Sequence, residues 1–175
     1  MANVEQTIDV DVPVRAAYDQ WTQFESFPRF MDGVDRVVHG DDKTLTWWVT
    51  VAGKRKEWTA EIVDQTPDKR VAWKSTQGTD NAGAVLFEPL GPTKTRITLR
   101  IDAEPEGIVE RMGEAAGFLD RRVAGDLDRF KEFIEGRRAP TGAWRGEIHG
   151  DAVEPDPSEV TGTGGPVSRS DSDAA

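Results

Sequence analysis

Four large aromatic residues, Trp47, Trp58, Trp73 and Phe87, fall at positions where an alternating pattern turns its apolar side inward. Tryptophan is too bulky to be used repeatedly just to fill a thin seam between a sheet and a helix, and its indole N–H wants an acceptor. Such a set points to a ligand cavity, which is typically apolar and aromatic with a few placed polar groups. An ordinary core remains the alternative for any one of them. Ser75 and Gln77, polar residues in the inward phase, are candidates for the cavity's hydrogen bonds. A second hint lies further along, where Gly113 and Gly117 sit four apart beside Met112 and Ala116 in a helical pattern. Glycine inside a helix costs about 1 kcal/mol relative to alanine, so two on one strip imply close backbone approach or room for a ligand. The candidate ligand-binding residues are therefore Trp47, Trp58, Trp73, Ser75, Phe87, Met112, Gly113, Ala116 and Gly117.

Groups able to do acid–base or covalent chemistry are scarce. The two histidines, His39 and His149, stand at a strand end and in the C-terminal tail. The chain has no cysteine, which excludes a disulfide framework, thiolate-bound zinc and a thiol nucleophile. No HExxH pair, acidic calcium loop, phosphate-binding glycine loop or GxSxG elbow is present, so no metal and no cofactor is assigned. Tyr18, the one tyrosine, lies in the apolar phase of a helix, where burial with a satisfied hydroxyl is expected.

The elements that must position these residues follow from periodicity. Val4, Ile8, Val10 and Val12 alternate with Glu5, Thr7, Asp9 and Asp11, predicting a half-buried strand that Pro13 ends. From Val14 the spacing becomes helical through Ala17, Tyr18 and Trp21. Pro28 then forces a short second helix around Phe27–Met31 at an angle to the first. A meander follows, with strands expected at Val34–His39, Thr44–Ala52, Arg55–Gln65, Arg70–Gln77, Ala84–Pro89 and Arg96–Ala103, and a loop over Gly78–Gly83. Loops of two to six residues imply antiparallel neighbours, and one-sided alternation implies one covered face. Trp48 is out of phase with Trp47 and should face outward. Glu106–Arg138 carries the only long helical stripe: Ile108, Met112, Leu119, Val123, Leu127, Phe130 and Ile134. Arg121, Asp128, Arg129 and Glu132 stand on the opposite, solvated side. Unbroken, it would run about 50 Å. The class is α+β: a curved antiparallel sheet of seven strands around a long C-terminal helix, with two short helices between the first two strands.

Charge divides the chain in two. The formal charge is −10, and residues 139–175, with two arginines against seven acidic residues, carry half of it. That segment is rich in Pro, Gly, Ser and Asp and is expected to be disordered, so the domain is placed at residues 1–138. Its one exception is Gly142–Ile148, where an isolated Trp144 and Ile148 suggest docking on the domain or contact with a protein partner. Lys54-Arg55-Lys56 is the single basic run, and it reads as a solubilising hairpin tip. An acidic protein without a basic stripe is a poor nucleic-acid binder. No apolar run is long enough to span a membrane and no signal sequence is visible, so a cytoplasmic location is expected.

The sequence resembles the START-like helix-grip (SRPBCC) superfamily, most closely its polyketide cyclase/dehydrase and coenzyme Q-binding group. The matching residues are Pro13, Tyr18 and Trp21; Phe27-Pro28-x-Phe30-Met31-x-Gly33-Val34; Trp58; Pro67-x-x-Arg70-Val71-x-Trp73; Gly83-x-Val85-x-Phe87; and Phe130-Lys131-x-Phe133-Ile134-Glu135. The resemblance covers about residues 3–136 and implies a hydrophobic tunnel between sheet and helix. It also implies binding or transport of a lipid, quinone, isoprenoid or polyketide, the alternative being an aromatase/cyclase-dehydrase acting on a poly-β-ketone. The family has no universal catalytic motif, so no catalytic residue is assigned.

Overall fold

A computed structural model describes residues 2–51, 53–78, 80–103 and 112–157, with side chains for all of these except 2, 51, 103 and 112–119. The chain runs β1 (Ala2–Val10), α1 (Val14–Trp21), a 3-10 helix (Phe24–Arg29), and then β2 (Val34–His39), β3 (Thr44–Val51) and β4 (Lys54–Thr66). It continues through β5 (Arg70–Gly78), β6 (Asn81–Gly91), β7 (Lys94–Ala103) and α2 (Met112–Arg137) to β8 (Glu147–His149) and β9 (Ala152–Glu154). Seven strands form an antiparallel sheet in the order β1-β7-β6-β5-β4-β3-β2. Hairpins of short loops build β2 to β7 in sequence. The two short helices carry the chain away after β1, which therefore pairs with β7 at the far edge.

The predicted alternation sets the covered face. Leu45, Val49, Ala60, Ile62, Val71, Val85, Ile97 and Leu99 are all buried there. Pro28 is accommodated inside the 3-10 helix, whose buried Phe24 and Phe27 point into the core. The second half of α2 closes this core with Val123, Leu127, Phe130 and Ile134, as the helical stripe requires. Trp21 meets the rings of Phe27 and Phe130, each at 5.2 Å, and Phe30 meets Phe130 edge-on at the same distance. Polar contacts fix how α2 lies along the sheet edge. Gln6 Nε2 donates to Asp120 Oδ1 (2.7 Å), Lys131 Nζ to the Asp9 carbonyl (2.8 Å), and the Asp11 amide to Glu135 Oε2 (2.7 Å). The predicted helix start, residues 106–111, lies outside the described residues.

Two expectations are corrected. β6 begins at Asn81, so the second half of the expected Gly78–Gly83 loop is strand, with Ala82 and Gly83 paired to Lys74 and Trp73 of β5. The domain also does not end at residue 138. Residues 139–157 fold back onto the sheet: β8 pairs with β4 through His149–Asp64 and Ile148–Gln65, and β9 pairs with β8. The physical reason is that β4 outruns its neighbour, since β3 stops pairing at Thr44–Glu61 and leaves an open edge beyond it. Ile148 is fully buried there, and Trp144 packs partly buried against the core, the docking that the sequence suggested for this segment. Arg145 locks the strap. Its guanidinium donates to the buried Asp19 carboxylate (2.5 Å) and to Asp68 (2.8 Å), and stands 5.4 Å from the centre of the Tyr18 ring.

Candidate functional site

On the concave face, β3 and β4 bring Trp47 and Trp58 directly opposite each other. Their indoles stack at 5.8 Å with 9° between planes. Trp47 also touches Phe27 (5.6 Å), so the pair begins where the aromatic core ends. Both indoles are only half-buried. Trp58 Nε1 is nevertheless sealed from solvent and has no hydrogen-bond acceptor among the described residues. A buried N–H left unmade costs on the order of 1–3 kcal/mol, so this donor marks a place where an acceptor would be welcome.

Further along the face, Ser75 lies opposite Ala60, and Trp73 lies opposite Ile62. Trp73 crosses to β6, where its indole covers Gly83. A Cβ built on Gly83 collides with the Trp73 ring and comes within 2.7 Å of the Arg100 carbonyl. Trp73 Nε1 donates to Asn81 Oδ1 (3.3 Å), and the Asn81 amide donates to Ser75 Oγ (3.0 Å). Asn81 thus orients both Trp73 and Ser75 at this end. Sequence reasoning missed it, because an asparagine following Gly78 has the composition of a turn.

Gln77 and Phe87 fall apart from this group. Gln77 is exposed. Phe87, paired with Ile97, is 7% exposed and meets Tyr18 edge-on at 5.4 Å, so it belongs to the core beneath α1. Met112, Gly113, Ala116 and Gly117 are carried by the first turns of α2, and their side chains lie outside the described residues. Trp48 faces outward as expected. It donates to Glu57 Oε1 (2.8 Å), with the Arg36 guanidinium 5.2 Å from its ring centre.

Titratable groups near the core are tuned by burial. Tyr18 is fully buried, but its hydroxyl is not satisfied as expected: Gln65 approaches it without completing a hydrogen bond of ordinary geometry. Burial raises its pKa, opposed by Gln65 and the Arg145 guanidinium. Burial also raises Asp19, against the lowering effect of its hydrogen bond to Arg145. His39 is lowered by burial and packs edge-on against Phe24 at 5.6 Å. Among the described residues no group of three or more His, Asp or Glu side chains is placed to hold a metal ion, and no helix is long and apolar enough to cross a membrane.

A curved antiparallel sheet gripping a long helix, with aromatic side chains on its concave face, defines a START-like helix-grip protein. Residues 10–132 match the family described as polyketide cyclase / dehydrase and lipid transport, and the chain belongs to that family. It is 49% identical over 150 residues to an uncharacterized 17.2 kDa protein of Streptomyces lincolnensis, covering 85% of this chain and 99% of the relative. Among solved structures it is similar to a Deinococcus radiodurans protein (27% identity, TM-score 0.64), covering 78% of this chain and 99% of that one. It also resembles the ZhuI aromatase/cyclase of Streptomyces sp. R1128 (17% identity, TM-score 0.64; 81% and 98% covered), a likeness of fold.

Proposed function

We propose that the protein binds a hydrophobic small molecule between the concave face of the sheet and the first half of α2. The observation that carries this reading is Trp58: a stacked indole on the covered face whose N–H is buried without an acceptor among the described residues. A ligand carbonyl or quinone oxygen would satisfy that donor, while the faces of Trp47, Trp58 and Trp73 supply apolar area. The glycines Gly113 and Gly117 on α2 support the same side of the cavity, because they leave room at the helix surface. Family membership supports a lipid or polyketide as the ligand class, and a quinone or isoprenoid offers the same chemistry.

Among the described residues of this face, the polar groups are the Trp58 N–H, Ser75 and Asn81. Such groups can orient a bound molecule by hydrogen bonds, which is what binding or transport asks of them. Native mass spectrometry of the purified protein, followed by organic extraction, tests the proposal. A co-purifying apolar compound lost on Trp58→Ala is the expected result. A wild-type protein that runs at its bare mass and takes up no neutral hydrophobic probe contradicts it.

A further inference from the structure

A second concavity lies outside the interior, on the flank of α2 that faces the turn into β2. It is an open groove of about 350 Å³ with Arg121, Arg122 and Arg129 on one wall. Asp32, Gly33 and Thr50 form the other wall, and Gly125 lies at the base of the helix side. In a chain of net charge −10, three guanidiniums on one groove run against the composition.

The groove is built rather than incidental. Arg122 Nη2 donates to the Asp32 carbonyl at 2.5 Å, and Arg129 Nε donates to the Phe30 carbonyl at 3.0 Å. These bonds hold both side chains half-buried, so little rotamer freedom remains to be lost on binding. Gly33 has φ +83°, and a Cβ on it would collide with the Arg122 guanidinium and approach the Thr50 carbonyl to 2.7 Å. Its absence of a side chain lets Arg122 close onto the turn.

Carboxylates offset part of this charge, since Asp32 itself lines the groove and Asp35 Oδ2 accepts from the Thr50 hydroxyl (2.7 Å), so Arg121 and Arg122 supply what remains. Asp126 is 8% exposed and already occupied, accepting from Arg129 and from the Asp32 amide (3.1 Å). Burial raises its pKa, against Arg129 and Arg122. Arg121 is exposed and meets no carboxylate among the described residues. Thr50 pairs directly with Arg55, so the Lys54-Arg55-Lys56 tip stands at the same end of the sheet.

We propose that this groove is an anion site for a phosphate or diphosphate group, held by the forked donors of Arg121 and Arg122 with Arg129 behind them. Guanidinium forks match phosphate oxygens bidentately, and the groove has room for a diphosphate with a small organic substituent. The phosphate can come from the head of an amphipathic molecule or from a free organic phosphate.

Isothermal titration with inorganic pyrophosphate at low ionic strength tests it, with wild type, Arg121→Glu and Arg122→Gln compared after their circular dichroism is matched. Saturable binding weakened about tenfold or more by Arg121→Glu, and weakened by added salt, is expected. No binding to wild type, or equal binding to Arg121→Glu, overturns the site. Arg121 is exposed, so loss of fold does not obscure that variant. A second arm separates the sources. Dodecyl phosphate that displaces both pyrophosphate and the neutral probe N-phenyl-1-naphthylamine identifies a head group, whereas pyrophosphate and probe binding independently identifies a free phosphate. Probe failure with pyrophosphate bound overturns only the interior reading.

Discussion

The indole of Trp73 lies across Gly83, filling the space that a β-carbon on that residue would take. The relationship joins fold to site, since the same indole reaches Asn81 and, through it, Ser75. β5 and β6 pair at exactly these two residues, so the ring is fixed by strand register rather than by rotamer choice alone.

Gly83→Ala should therefore act as an overpacking substitution. We expect Trp73 to be displaced, its hydrogen bond to Asn81 to break, and stability to fall by about 1–3 kcal/mol. Urea denaturation measures the loss, and the Trp73 indole resonance reports the displacement. An unmoved resonance in a variant of wild-type stability would show that the strands relax instead.

Arg145→Ala should release the C-terminal strap. It leaves the Asp19 carboxylate buried with only Arg15, at 3.8 Å on an exposed arm. We expect a loss of about 3 kcal/mol at neutral pH, the low end for breaking a buried ion pair. The sign with pH follows from Asp19, whose folded pKa is raised by burial even with Arg145 present. Without the arginine it rises further, so the folded state increasingly favours the protonated form. The deficit should vanish below the unfolded carboxylate pKa of about 3.9 and grow to its full size as pH climbs through the folded value. A deficit independent of pH would assign the effect to lost packing over Tyr18.

The two histidines should titrate in opposite directions from the ordinary 6.5. His149 is raised, chiefly by its hydrogen bond to Glu147 and then by Asp64, while burial lowers His39. His149 stabilises the β8–β4 contact fully below pH 6.5, and the contribution is lost as pH rises through its folded pKa. His39 costs stability as pH falls from 6.5 through its own lowered value. Proton NMR titration of both rings checks the order, and His149→Gln should remove the upper transition and speed exchange of the Gly150 amide, which bonds the Val63 carbonyl. Identical midpoints would contradict both environments.

Much of this was legible in the residues, and the failures have physical causes. Period two and period 3.6 identified the meander and the α2 stripe, because each buries one face. Phase also placed Trp47, Trp58 and Trp73 inward and Trp48 outward. Phase tells the face but not the position along the strand, which is why Phe87 was grouped with residues at the other end of the sheet. The strap was legible only as Trp144 and Ile148 standing out in a polar segment, because strands of three residues are too short for any period. Ile148 is held by an open edge of β4 that exists only once β3 has ended. The groove was hidden for a similar reason. Arg121 and Arg129 read as a solvated helix face until the turn at Asp32-Gly33 is brought against it.

The most direct test follows the indole N–H resonances of the six tryptophans during titration with N-phenyl-1-naphthylamine. If the ligand site is the concave face, Trp58 and Trp47 shift first and saturably, while Trp48 on the outer face and Trp144 under the strap stay in place. Shifts confined to Trp48 or Trp144, with Trp58 unmoved, would contradict it.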